Sequence, residues 1–260
     1  PKGAIMGFIG ENGAGKTTTI KAILNLIHTE SGSVNILGRN NKTEEKKLKQ
    51  EIGVVFDDCN FHGVLKVRDV ENIMRAVYEK WDCTLFHSYV KRFGIPKNKA
   101  IKTYSRGMKM KLSIAVALSH HPKLLLLDEA TSGLDPIVRN EVLDILLDFI
   151  QDEEKAIFFS SHITGDLEKI ADYITFIHEG KIVFTESKDV LIEDYGIMKC
   201  GVEEFEKVAA GDRIGYRKNH FGCEILIKGK AKMARKYPNF IIDQTTIEEI
   251  MLYYVKGENK

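Results

Sequence analysis

The sequence predicts an α/β fold, a mainly parallel sheet flanked by helices, with a helical subdomain inserted and a small α+β appendage at its C-terminal end. Three observations predict it. The apolar run Ala4-Ile5-Met6-Gly7-Phe8-Ile9 opens directly into the glycine-rich stretch Gly10-Glu11-Asn12-Gly13-Ala14-Gly15-Lys16-Thr17. A second apolar run, Leu124-Leu125-Leu126-Leu127, ends in two acids, Asp128-Glu129. From there on, short apolar runs alternate with amphipathic stretches. That is the rhythm of βαβ units, whose strands are buried on both faces.

Taken in order, Ala4–Ile9 reads as a buried strand and Thr17–Ile27 as the helix behind it. Ser31–Gly38 reads as a short strand between glycine turns. The charged stretch 43–50 reads as a helix leading into a strand over Ile52–Phe56. Apolar spacing over Val67–Phe93 predicts helices that end near Gly94-Ile95-Pro96, and a further helix covers Met108–Ser119. The strand Leu124–Leu127 is followed by a helix opening at Asp135-Pro136, the strand Ala156–Phe159 and a helix after Ser161. Tyr173–Ile177, a turn at Glu179-Gly180 and Lys181–Thr185 form a hairpin. Beyond about Tyr195 the pieces shorten, with strands near Glu224–Ile227 and Phe240–Ile242. A last amphipathic helix spans Thr246–Val255, capped by Thr245 or Thr246.

Composition narrows the classes. A chain of 260 residues can bury a sizeable core. Its 38 basic against 37 acidic residues leave a net charge of +1, so no nucleic-acid partner is expected. Cys59, Cys83, Cys200 and Cys223 are scattered without a C-x-x-C pair, which reads as reduced thiols in a cytoplasmic protein. No apolar run approaches the roughly 20 residues that cross a bilayer, and no signal peptide is visible. The chain is expected to be soluble by itself, with any membrane connection made through a partner.

The glycine-rich stretch fits the phosphate-binding pattern G-x-x-x-x-G-K-[ST]. Glycines let the backbone approach a triphosphate, and successive N–H groups and the helix N-terminus then point at the anion. Gly10, Glu11, Asn12, Gly13, Ala14, Gly15, Lys16, Thr17 and Thr18 are the candidate nucleotide contacts. Lys16 supplies positive charge to the outer phosphates, and the Thr17 hydroxyl is a candidate Mg²⁺ ligand. A strand buried in the sheet carries Asp128 to its C-terminal edge, beside the loop, where it can hold Mg²⁺ through water. Glu129 follows as a candidate general base.

Further segments fall in a telling order: Tyr104-Ser105-Arg106-Gly107-Met108 before the second apolar strand, Ala130-Thr131-Ser132-Gly133-Leu134-Asp135-Pro136 after it, and Ser160-Ser161-His162 after the next strand. With them the chain resembles the ATP-binding cassette (ABC) ATPases, P-loop NTPases, over roughly Ala4–Thr185. The resemblance implies an ATPase domain over 1–190, with its helical signature subdomain at about 60–119, and the change of character after Tyr195 leaves an appendage over 195–260. It implies ATP and Mg²⁺ as cofactors. Two cassettes would pair head to tail, each ATP lying between one phosphate loop and the partner's Ser105, Gly107 and Met108. His162 would act on the γ-phosphate and attacking water, Lys16 and Glu129 in catalysis, and Asp135 across the interface.

Departures from the family pattern are equally specific. Tyr104 and Arg106 replace the first and third signature residues, and Arg106 is expected to add charge near the phosphate. Asp57 stands where the family carries a glutamine or glutamate that touches Mg²⁺ and senses the membrane subunit. An N-terminal strand bearing an adenine-stacking aromatic is expected to be missing ahead of Pro1. The implied function is ATP hydrolysis for an exporter-type transporter, peripheral at the cytoplasmic face of the plasma membrane, with a separate membrane permease docking on Val67–Phe93. The alternative, a soluble ABC ATPase acting on ribosomes or DNA, fits less well with one cassette and balanced charge. A GTPase reading of Asn41-Lys42-Thr43-Glu44 fails because that segment ends in glutamate and follows the phosphate loop too soon.

Overall fold

β1 (Ala4–Ile9) is a strand because its apolar side chains are buried on both faces, and the chain must then turn tightly to bring a helix back over the sheet. A computed structural model shows how it does so, and describes residues 1–219 and 222–257. Gly13 and Gly15 adopt φ of +87° and +109°, the left-handed region that side-chain-bearing residues avoid. Helix α1 (Lys16–Ile23) starts immediately behind them. It ends four residues earlier than the apolar pattern suggests, because Asn25 turns to φ +55°. Buried Asn41 then closes the helix by donating to the carbonyls of Ala22 and Ile23 at 3.0 and 2.9 Å.

The single strand expected over Ser31–Gly38 is instead a small hairpin, β2 (Asn35–Ile36) and β3 (Arg39–Asn40). Leu37 and Gly38, both at positive φ, form its two-residue turn, the geometry that matches strand twist. Helix α2 (Glu45–Glu51) leads into β4 (Ile52–Val55). The helical stretch divides into α3 (Val67–Val77) and α4 (Cys83–Arg92), the latter capped by Asp82 accepting from the Leu85 amide at 2.8 Å. Helix α5 (Arg106–Leu118) is almost wholly apolar over its second half and is buried accordingly.

The remaining elements of the large sheet are β5 (Leu124–Asp128), α6 (Pro136–Ile150), β6 (Ala156–Ser161), α7 (Thr164–Ile170), β7 (Tyr173–His178) and β8 (Lys181–Ser187). The sheet runs in the order β4-β5-β6-β1-β7-β8. All neighbours are parallel except the β7–β8 hairpin. Register aligns Asp128 with Ser160 and Ile9 with Ser161. The loops carrying Glu129, His162 and Gly10 therefore leave the sheet side by side, at the edge where open α/β sheets bind ligands.

After α8 (Lys188–Glu193) comes β9 (Tyr195–Cys200), then β10 (Gly215–Asn219), β11 (Gly222–Lys228), α9 (Lys230–Lys236), β12 (Ile241–Asp243) and α10 (Ile247–Lys256). These strands make a second, antiparallel sheet in the order β10-β11-β9-β12. The C-terminal residues are not separate from the nucleotide-binding half, however. Thr246 caps α10 by accepting from the Glu249 amide at 3.2 Å, and Ile247, Ile250 and Tyr253 enter the same apolar core as Ile5, Leu125 and Phe176. Tyr254 packs on Phe184 and Phe176.

Candidate functional site

Glu129 is the centre of the site. It leaves β5 with φ +54°, a left-handed conformation that a glutamate adopts only where its surroundings hold it. Its carboxylate is gripped from two sides. Oε1 lies 3.2 Å from the Lys16 ammonium at the start of α1, and Oε2 accepts from His162 Nδ1 at 2.6 Å. The Glu129 backbone is fixed as well, its amide donating to the Ser160 carbonyl at 3.0 Å. β6 lies between β5 and β1 in the sheet, so His162 emerges between the Glu129 loop and the phosphate loop.

Lys16 is 5% exposed, and buried cations need partners. It finds them in the Gly10 carbonyl at 2.8 Å, the Glu11 carbonyl at 3.2 Å and Glu129. The ammonium is thus strapped across the mouth of its own loop. Gly10 itself has no room for a side chain, since a Cβ there would sit 2.5 Å from the Ile177 carbonyl oxygen. Ala14 is buried, whereas Glu11, Asn12, Gly13, Thr17 and Thr18 are exposed along the loop. Glu11 is paired with His178 at the end of β7 at 2.7 Å, a contact that no sequence pattern signalled.

Asp128 is 2% exposed, and its Oδ1 accepts from the Ser160 hydroxyl at 2.6 Å. Its Oδ2 makes no hydrogen bond among the described residues, leaving one hard oxygen available near the loop. Thr17 is exposed at the start of α1. Such oxygen donors suit Mg²⁺. The Ser160-Ser161-His162 segment alone does not display this contact, which lies in the Asp128–Ser160 register.

The other sequence-predicted residues make other contacts. Ser105 caps α5, its Oγ accepting from the Met108 amide at 3.2 Å. Gly107 packs on α6, where an added Cβ would lie 3.2 Å from Val138. Arg106 rests on the turn before α6: a Cβ placed on Gly133 would come within 2.9 Å of its Nη1. Asp135 caps α6, its Oδ1 accepting from the amides of Ile137 and Val138 at 3.1 Å each. Asp57 is exposed just past β4. Since Val55 pairs with Leu127, Asp57 follows its strand at the level where Glu129 follows β5.

A cavity of about 470 Å³ adjoins the loop, with Gly10, Glu11 and His162 on one wall and Met251, Leu252 and Val255 of α10 on the other. The C-terminal helix therefore borders the phosphate loop.

Comparison with known proteins matches residues 1–132 to the ABC transporter family. The chain is 36% identical over 184 residues to the bacitracin transport ATP-binding protein BcrA of Bacillus licheniformis, covering 70% of this chain and 60% of that protein. It is 36% identical over 190 residues to the lantibiotic transport ATP-binding protein SrtF of Streptococcus pyogenes, covering 73% and 81% respectively. The chain thus spans about 60% of the length of the bacitracin relative. In fold it is similar to an ATP-binding subunit of an ABC transporter, with a TM-score of 0.67 at 23% identity, covering 73% of this chain and 81% of that one.

Proposed function

We propose a function from this premise: the chain belongs to the ABC transporter family. It binds ATP on the loop Gly10–Thr18, hydrolyses it with Mg²⁺, and energises transport through a separate integral-membrane permease. It does so as one of two ATPase subunits, peripheral at the cytoplasmic face of the plasma membrane. Among the described residues no helix is long and apolar enough to cross a membrane. The reading of an ATPase acting on ribosomes or DNA gains no support.

One observation carries this reading: the Glu129 carboxylate held between Lys16 at 3.2 Å and His162 at 2.6 Å, at the mouth of a phosphate loop. The Lys16 ammonium stabilises charge on the outer phosphates, with the loop carbonyls fixing its direction. Glu129 takes a proton from the attacking water, and His162 orients its carboxylate. Thr17 and Asp128 would hold Mg²⁺, with Ser160 fixing the Asp128 carboxylate, and Asp57 approaches from the neighbouring strand end. The metal, when bound, offsets phosphate charge. Ser105, Gly107, Met108 and Asp135 then serve the partner's nucleotide, which accords with the helix caps, rather than Lys16 or Glu129, that Ser105 and Asp135 engage.

Two substitutions test the division of labour. Lys16→Ala removes electrostatic stabilisation and should weaken both ATP binding and turnover. Glu129→Gln removes the base but keeps the shape, so it should bind ATP, lose turnover by about 10²-fold or more, and shift to a dimer in light scattering. Chelation of Mg²⁺ should abolish turnover of the parent. Equal loss of nucleotide affinity in the two variants would refute these roles.

A further inference from the structure

Outside the phosphate-loop site, the second sheet brings two cysteines together. Cys200 ends β9 and Cys223 lies near the start of β11, and the antiparallel register sets them directly opposite one another. Residues so paired have Cα atoms about 4.5–5.5 Å apart and side chains on the same face. That falls within the window of about 4.4–6.8 Å that a disulfide spans. Both thiols are free, and both are buried among Met198, Phe205 and Ile225. They are not sealed in. Cys200 and Cys223 share the wall of an open cavity of about 400 Å³ with Lys199, Glu204, Glu224 and Phe240.

We propose that Cys200 and Cys223 form a reversible modification site, a dithiol that low-molecular-weight disulfides oxidise to an intramolecular disulfide. A pair of ordinary core residues would explain the burial. It would not explain why two thiols meet at one register position and also face a cavity. Cys200, 9% exposed against 2% for Cys223, takes the first step. Its sulfur gives up a proton and attacks one sulfur of the small disulfide, forming a mixed disulfide and expelling one small thiolate. Cys223 then loses its proton and attacks the Cys200 sulfur, which releases the second small thiolate. The two protons pass to the two leaving thiolates. The protein pair loses two electrons and the small disulfide gains them. Burial, reinforced by the neighbouring Cys223 thiol, pushes the Cys200 thiol's pKa up, which makes the first step slow at neutral pH.

The bond would pin β9 to β11, and β9 also carries β12, the strand that leads into α10. The test uses the full chain with Cys59→Ser and Cys83→Ser, incubated folded with oxidised glutathione and then alkylated in denaturant. The expected result is the loss of both alkylatable thiols, a mass lower by two hydrogens, and full recovery with dithiothreitol. Adding Cys223→Ser should stop the reaction at one glutathionyl group on Cys200. Two thiols that stay alkylatable in the folded protein, while the same protein in urea is oxidised, would overturn the proposal. So would glutathionyl groups on both cysteines without an intramolecular bond.

Discussion

The φ of +54° at Glu129 places a catalytic candidate in a conformation that costs about 1–3 kcal/mol. The Lys16 ion pair, the His162 hydrogen bond and the hydrogen bond from its own amide to the Ser160 carbonyl hold it there. Glycine adopts this region freely and alanine does not. Glu129→Gly and Glu129→Ala remove the same carboxylate, yet the glycine variant should be more stable by about 1 kcal/mol. Urea midpoints decide it, and the opposite order would mean that the backbone is not strained. Asp57 is the second residue at this scale. It shares the Glu129 level one strand away, so Asp57→Ala should lower turnover several-fold while ATP affinity stays near parental, because the loop supplies most of the binding. Asp57→Gln should recover part of the loss. Parental turnover in Asp57→Ala, alone and with the membrane partner, would leave Asp57 without a part. The loop, Asp128 and Glu129 were legible because each depends on its immediate neighbours along the chain. The His178–Glu11 pair and the seat of Arg106 on Gly133 were not, since each joins segments that only the folded sheet brings together.

Between elements, His120 is the joint that ties the end of α5 to β4. It is 1% exposed, stacks on Tyr78 with ring centroids 3.9 Å apart, and bonds the Ile52 carbonyl at 3.2 Å. Burial pushes its pKa below the ordinary 6.5, with the Ile52 bond opposing and His121 adding to the shift. The folded state therefore keeps His120 neutral at pH values where the unfolded chain already binds a proton. Stability from this group is complete above pH 6.5 and falls as pH drops below it, because the unfolded state then binds more protons. Denaturant midpoints measured from pH 7.5 down to pH 5.5 (about one unit either side of the ordinary value) should show this decline. In His120→Gln, which keeps a donor for the Ile52 carbonyl, the decline should be shallower. An unchanged slope would place the pH dependence elsewhere. Helix–strand alternation was readable from periodicity, but the β2–β3 hairpin was not. Its turn relies on Leu37 at φ +51°, a residue that carries no turn signal.

Across the whole molecule, the question is whether the C-terminal sheet stands by itself. Shortening elements after Tyr195 mark a small appendage but leave this open, because local patterns show where strands end and not what their faces cover. The packing argues for one unit. Ile197 of β9, Leu226 of β11 and Ile250 and Tyr253 of α10 belong to the same buried cluster as Ile5, Leu125 and Phe176 of the nucleotide-binding sheet. Trp81, the chain's one tryptophan, packs against that cluster from the segment between α3 and α4. It therefore reports on distant damage if the core is continuous. Ile250 is 0% exposed, so Ile250→Ala should cost about 2–5 kcal/mol through lost burial and the cavity left behind. The urea midpoint read from Trp81 fluorescence should fall together with that read from far-ultraviolet circular dichroism, with the slope unchanged. Independent units would instead leave the Trp81 transition at its parental midpoint while part of the dichroism signal is lost earlier. The lesion should also reach the site. Met251 and Val255 of the same helix line the same cavity as Glu11 and His162, so a displaced α10 disturbs the histidine that orients Glu129.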